Sequence, residues 1–318
     1  MITFEELSQL SKPKATRDAY GETLAELGLE YPNIVVLDAD VSVSTKTVIF
    51  AKQFPERFFN MGIAEQNMIG TAAGLSLTGK LPFASSYAVF LTGRAWEQIR
   101  QSVCYPGLNV KLVSTHSGIT VGEDGASHQA LEDIGIMRIL PNMTVIVPSD
   151  FIETSMAIRA AAAHVGPTYV RLGRSKVSRV VPEDYKFEIG RAYVYHMGKD
   201  ANIVAVGIMV AEALKAAELL RSQGIDTGVI NMSTIKPIDK ETLLDAAKHS
   251  GRIVTAEEHS VIGGLGSTVS ECLAEHYPVR IKRIGVQDSF GRSGNPAKLM
   301  ELFHLTHKDI AETIRQML

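Results

Sequence analysis

Cysteine is scarce in this chain of 318 residues: there are two, Cys104 and Cys272, and they lie far apart. That excludes a disulfide framework and a CxxC metal pair. No excess of charge of either sign exists, with 32 Lys and Arg against 35 Asp and Glu and a formal net charge of −3. Such a balance leaves no electrostatic footprint for nucleic acid or an anionic membrane surface. Apolar runs are short. None approaches the roughly 18 residues of a membrane span, and the first twenty residues hold no apolar stretch of the signal-peptide kind. A reducing cytoplasm is the expected location. Familiar catalytic signatures are missing too: no GxxxxGK[ST] phosphate loop, no HExxH zinc pair, no GxSxG elbow. Gly263-Gly264-Leu265-Gly266 begins like a dinucleotide fingerprint, but Val269 stands where its third glycine belongs.

What is present is an ordinary globular composition, 45% apolar and 21% charged, long enough for two domains. Short β-branched runs alternate with longer amphipathic ones, the pattern of an α/β protein with mainly parallel sheets flanked by helices. In the first half, strands are expected at 34–37, 83–89, 110–114, 144–147 and 168–171, and helices at 15–27, 64–77, 94–105 and 151–164. Residues 176–190 break this rhythm with charge and Pro182 and read as a linker. The rhythm then restarts, with strands at 203–206, 227–230, 252–256 and 279–284 and helices at 210–222, 240–249 and 267–276. Two domains are therefore expected, at 1–175 and 191–318. In open α/β sheets, sites form at the carboxyl ends of strands. Two loops there are rich in polar groups: Asp38 to Ser44, and Thr115 to Gln129. The second, at about fifteen residues, is longer than most such connections and holds two histidines, two carboxylates and three glycines. Alone, it reads equally well as a solvated glycine-rich loop.

Specific strings narrow the reading. Phe59-Asn60-Met61-Gly62-Ile63-Ala64-Glu65-Gln66-Asn67 comes first, then residues 85–90. His116 and Gly122-Glu123-Asp124-Gly125-Ala126-Ser127-His128-Gln129 follow, then Arg138-Ile139-Leu140-Pro141-Asn142-Met143. In this order they resemble the C-terminal half of transketolase, and also the matching half of deoxyxylulose-phosphate synthase. The likeness runs along the whole chain, with His259 and Gly263 to Gly266 in the third of the family's domains.

The resemblance implies a thiamine-diphosphate pyrimidine-binding fold followed by the transketolase C-terminal domain. It implies transfer of a two-carbon ketol unit from ketose phosphate to aldose phosphate, as in the pentose phosphate pathway. By resemblance, Glu65 hydrogen-bonds the aminopyrimidine of thiamine diphosphate, a role that needs a shielded carboxyl. Taken alone, Glu65 would read as a first-turn glutamate favouring a helix dipole. Tyr87 and Phe90 match aromatics that pack on the pyrimidine, although core packing is the plainer reading of Tyr87. Asp40 is placed near the thiazolium. His128 matches a residue that contacts the donor's hydroxyls and helps move a proton, and Asp124 one beside the acceptor aldehyde. Arg17, Ser44, His116 and Arg174 are expected at the sugar phosphate, where guanidinium forks, hydroxyl and imidazole suit the ligand. Two departures stand out. Gly93 replaces a further tyrosine of the pocket, and no GDG followed by an asparagine, the family's diphosphate and metal motif, occurs. The expectation is a split enzyme. An N-terminal transketolase subunit would hold Mg or Ca with the diphosphate, and no metal would bind this chain. The assembly would be an α2β2 heterotetramer. Competing readings are half of a pyruvate-decarboxylating synthase, a 2-oxoacid dehydrogenase beta subunit, and a non-catalytic scaffolding homologue.

Overall fold

A computed structural model describes residues 3–318. Two sheets organise them. The first runs, edge to edge, Thr234–Lys236, Thr144–Ile146, Thr168–Arg171, Lys111–Thr115, Leu81–Tyr87, Ile34–Asp38 and Phe58–Asn60. All its neighbours pair in parallel except Thr234–Lys236, which is antiparallel to Thr144–Ile146. The second runs Arg280–Val286, Arg252–Ser260, Ala201–Ala205, Thr227–Asn231 and Tyr193–His196, with only the last pairing antiparallel. Helices cover these sheets, as the alternating sequence pattern predicts. The central strands are buried along their length, Ile34–Asp38 and Lys111–Thr115 at every position. Parallel strands covered on both faces tend toward continuous apolar runs, which is how Ile34–Asp38 is visible in the sequence.

Local chemistry fixes the helix ends. Asp150 caps Phe151–Ala163 by accepting from the Glu153 amide at 2.8 Å. Asp239 caps Lys240–Ser250, and Gly251, at φ 68°, supplies the left-handed residue that ends it.

The structure differs from the sequence expectation at several places, two of them close to the candidate residues. The strand expected to run to residue 89 stops at Tyr87, and a helix, Ala88–Arg94, begins at once, its first turn closed by Thr92 Oγ1 donating to the Ala88 carbonyl at 2.7 Å. The single helix expected at 94–105 is instead Trp96–Gln98 followed by a π-helical turn, Ile99–Cys104. Residues 176–181 of the segment read as a linker are fastened to the chain before it. Lys176–Val177 pairs with Lys14–Ala15, and Asp150 Oδ2 accepts from the amides of Val180 and Val181 at 2.7 and 3.0 Å. Chain from beyond that segment also completes the first sheet, through Thr234–Lys236. One buried apolar cluster spans both sheets, joining Val145 and Val147 to Val204, Val206, Ile230 and Met232.

Candidate active site

Most of the candidate side chains sit at the carboxyl edge of the first sheet. Asp40 and Ser44 follow Ile34–Asp38; Glu65 opens the helix Glu65–Leu77 after Phe58–Asn60; Tyr87 ends its strand; His116 follows Lys111–Thr115; Arg174 follows Thr168–Arg171. Arg17 joins them from the first turn of the helix Thr16–Glu30.

At one end, Glu65 is only 4% exposed and faces Arg94, whose Nη1 donates to Glu65 Oε1 and Oε2 at 3.2 and 3.3 Å. The same guanidinium lies 4.2 Å from the Phe90 ring centroid. A cavity of about 660 Å³ opens here, lined by Ile63, Ala64, Glu65, Gln66, Asn67 and Arg94. Sequence reasoning missed Arg94. The helix Ala88–Arg94, which puts Arg94 four residues from Phe90 on one face, was not foreseen from the sequence.

Aromatic and imidazole rings link this end to the next. Tyr87 stacks on His116 at 3.9 Å between centroids and lies 6.0 Å from Phe90. His128 stands edge-on to Phe90 at 5.2 Å.

At the far end, Arg17 Nη1 reaches the Ser44 carbonyl at 3.1 Å and His116 Nε2 at 3.3 Å. Arginine only donates, so His116 Nε2 accepts, and its Nδ1 carries the proton to Thr115 Oγ1 at 2.8 Å. Burial, then the nearby Arg17, Arg174 and His128, push the His116 imidazole down to about 3, so it is neutral at physiological pH. Arg17 is itself lowered, by burial first, with Arg174 adding to it and Asp18 opposing. Its Nε is a buried donor without an acceptor in the protein. Arg174 Nη1 donates to the Val121 carbonyl and lies 3.4 Å from Glu123 Oε2 and 3.8 Å from Asp124 Oδ2. The structure thus groups Glu65 with Phe90, Tyr87 with both histidines, and Arg17 with Ser44, His116, Arg174 and Asp124. Ser44 takes part through its carbonyl. Asp40 is exposed, at φ 63°, and bonds Asn60 Nδ2 at 2.8 Å rather than another candidate. Buried Asp38, passed over as a site residue, shapes this loop by accepting from Val41 N, Thr45 Oγ1 and Thr47 Oγ1 at 2.7, 2.7 and 2.8 Å. Among the described residues no group of three or more His, Cys, Asp or Glu side chains is arranged to hold a metal ion, and no helix is long and apolar enough to cross a membrane.

Fold and site together define two α/β units, each a mainly parallel sheet flanked by helices, with the candidate side chains gathered at one edge of the first. Residues 12–179 match the family described as transketolase, pyrimidine binding domain, and residues 190–310 that described as transketolase, C-terminal domain. The chain belongs to the transketolase family. It is 52% identical over 306 residues to a Methanocaldococcus jannaschii protein with the provisional name of a transketolase C-terminal section, covering 95% of this chain and 96% of that one. It is 44% identical to the 6-deoxy-6-sulfo-D-fructose transketolase subunit SqwH of Clostridium sp. strain MSTE9, covering 95% and 94%. A solved structure described as split gene transketolase, inactive beta4 tetramer, superposes with a TM-score of 0.89 at 56% identity, over 95% of this chain and 97% of that chain. Against human transketolase the chain is 37% identical, covering 96% of itself and 49% of that protein.

Proposed function

We propose that this chain is the C-terminal subunit of a split transketolase, supplying the pyrimidine side of a shared site that moves a two-carbon ketol unit between ketose and aldose phosphates, as pentose phosphate metabolism requires. The observation that carries this reading is the convergence of Glu65, the Tyr87–Phe90 pair and both loop histidines on one sheet edge. The residues fit one end of thiamine diphosphate: a buried carboxyl beside an open cavity, with aromatic faces adjoining. When bound, that cofactor stabilises the carbanion that ketol transfer needs. Glu65 would hold the aminopyrimidine edge and exchange a proton with it, displacing half-exposed Arg94. Phe90 and Tyr87 would stack on the ring, and Asp40 would stand at the thiazolium rim. His128 would exchange a proton with a donor hydroxyl, a task suited to an imidazole. Asp124 would orient the hydroxyl beside the acceptor aldehyde.

Arg17 and Arg174 would take the phosphate, with Ser44 and His116 beside them. The orphaned Arg17 Nε is what an anionic oxygen satisfies. Neutral His116 would contribute a hydrogen bond rather than charge. Replacing either arginine by alanine should lower kcat/KM for phosphorylated sugars by roughly 10- to 150-fold, the loss of a charge-assisted hydrogen bond. An unphosphorylated ketose should be nearly indifferent. Equal losses on both substrates, in steady-state assays, would reassign these residues to structure. Relatives named for 6-deoxy-6-sulfo-D-fructose and, at 37% identity, for apulose-4-phosphate widen the sugars to test. Sulfonate and phosphate present similar oxygens to a guanidinium pair.

The diphosphate and its Mg or Ca would be held by an N-terminal transketolase subunit, two heterodimers pairing about a two-fold axis as α2β2. Left alone, this chain would self-associate, as in the structure described as an inactive beta4 tetramer. The deciding assay offers xylulose 5-phosphate or pyruvate to the chain with that subunit present. Ketol transfer without carbon dioxide release is expected. Decarboxylation of pyruvate at comparable rates would replace the proposal with the synthase reading.

A further inference from the structure

Glu257, Glu258 and His259 are three consecutive ionisable residues, all buried, at the carboxyl end of Arg252–Ser260. The pairing of that strand with Arg280–Val286 becomes irregular between Ala256 and Ser260, which frees these side chains from a regular ladder. Each fastens something different. Glu257 stays within its own domain, accepting from the amides of Leu265 and Gly266 at 2.7 and 2.8 Å and so capping Leu265–His276. His259 turns its Nε2 to the Gly135 amide at 3.4 Å. Glu258 crosses to the loop that carries His116, Asp124 and His128. Its Oε1 accepts from the Thr120 amide at 2.6 Å, and a Cβ on Gly118 would lie 2.2 Å from its Cδ. Gly118, at φ +76°, is therefore required twice, by conformation and by space.

The rest of that loop is gripped from the same side. Gln129 Nε2 donates to the Arg292 carbonyl at 2.9 Å, the Gly294 amide to the Gly122 carbonyl at 3.4 Å, and a Cβ on Gly125 would lie 2.3 Å from Ser293 Oγ. No residue between 252 and 294 in these contacts reaches the candidate ligand groups directly.

We propose that Glu258 is a positioning residue: by holding the Thr120 amide it sets the 116–128 loop, so that the C-terminal domain determines where His128 and Asp124 meet the sugar. This rests on the transketolase reading for the sugar, but not for the loop. A loop with four left-handed residues, His116, Gly118, Gly122 and Gly125, has many other conformations available. A fixed acceptor at its second turn selects one. Arg171 and Asp133 flank Glu258 from the first domain. Arg171 Nη2 donates to the Glu258 carbonyl at 2.9 Å and its Nε to Asp133 Oδ2 at 2.7 Å. Burial pushes the Glu258 carboxyl up to about 7 against the pull of Arg171, while Asp133 reinforces the rise. A carboxyl raised on folding is protonated in the folded chain at pH where the unfolded chain has ionised. It therefore makes stability fall as pH rises from the usual carboxylate range through about 7.

The test compares Glu258→Ala and Glu258→Gln in the chain assembled with its companion subunit. Amide hydrogen exchange at Thr120 is read in both, alongside KM for a ketose phosphate, affinity for thiamine diphosphate and melting temperature against pH. In Glu258→Ala, Thr120 exchange should accelerate by roughly 10-fold or more, because a buried amide loses its acceptor. KM should rise by a similar factor while cofactor affinity stays within about twofold, because Glu65 is untouched. Glu258→Gln keeps an acceptor of the same shape, so exchange and KM should return near wild type, and its melting temperature should vary less between pH 5 and 8. Unchanged Thr120 exchange in Glu258→Ala overturns the proposal. So does faster exchange with unaltered KM, or equal loss of KM and cofactor affinity. If the wild-type assembly performs no ketol transfer, the functional reading fails. Thr120 exchange and sugar-phosphate binding by calorimetry then still decide the role of Glu258.

Discussion

Glu65→Ala should lower turnover of the assembled enzyme by about 10²–10⁴, the usual contribution of a positioned acid–base group, and leave the fold standing. The structural half of this expectation follows from Arg94. Removing the carboxylate orphans a guanidinium whose side chain is 50% exposed, and that retains the face of Phe90 as a partner. An ion pair with one member in water contributes about 0–1 kcal/mol, so the melting temperature should move little. The catalytic half follows from position. Glu65 stands at the first turn of Glu65–Leu77, 4% exposed, beside the cavity that Ile63 to Asn67 line. No other carboxylate lines that cavity. Glu65→Gln is the sharper control, since it keeps the size and a hydrogen-bonding group but cannot take up a proton. If proton exchange is the role, alanine and glutamine variants should be impaired to a similar degree at saturating cofactor. Near wild-type turnover in either would end the assignment. A glutamine variant with full activity would specifically leave Glu65 as a polar anchor.

How much of this was visible before the structure depends on whether the governing interactions are local. The buried strand Ile34–Asp38 was legible because parallel strands covered on both faces read as near-continuous apolar runs. The 115–129 loop was legible through its length and its glycines. All three, Gly118, Gly122 and Gly125, have positive φ. The turn from strand to helix at Tyr87–Ala88 was not legible, because Ala88-Val89-Phe90-Leu91 suits either state and only the closed turn at Thr92 decides. Nor could local pattern reveal that Thr234–Lys236 crosses to the first sheet, since edge pairing is a long-range contact. Arg94 and Glu258 escaped for a related reason. A charged side chain in a sequence reads as solvated surface until its partner is known. The partners here are 29 and 138 residues away.

The purified chain alone should show no measurable ketol transfer and only weak affinity for thiamine diphosphate. On the proposed reading, the groups it would offer are one carboxyl, Glu65, and two aromatic faces, Tyr87 and Phe90. Contacts of that kind must offset the association entropy and desolvation of a whole cofactor, and one ring edge falls short. Arg94 raises the barrier further, because it already occupies Glu65 and must be displaced. On the proposed reading, a companion subunit carrying the diphosphate and metal site would change this balance: the two halves of the cofactor would be held at once, and the second contact would become intramolecular. The surface that would receive the companion has the right character. Ile63 is 75% and Leu77 74% exposed at the two ends of Glu65–Leu77, and a Cβ added at Gly70 or Gly74 on that helix would meet nothing. A backbone bared in this way allows close approach by another chain. Calorimetry with thiamine diphosphate, first on the chain alone and then with the companion titrated in, should show affinity and turnover appearing together at a one-to-one ratio of subunits. Gly70→Lys should abolish that recovery while the isolated chain stays folded, since a helix interior favours lysine over glycine. Robust ketol transfer by the verified-pure chain would sink the split-enzyme proposal, because every group needed for the diphosphate would then have to reside in this polypeptide.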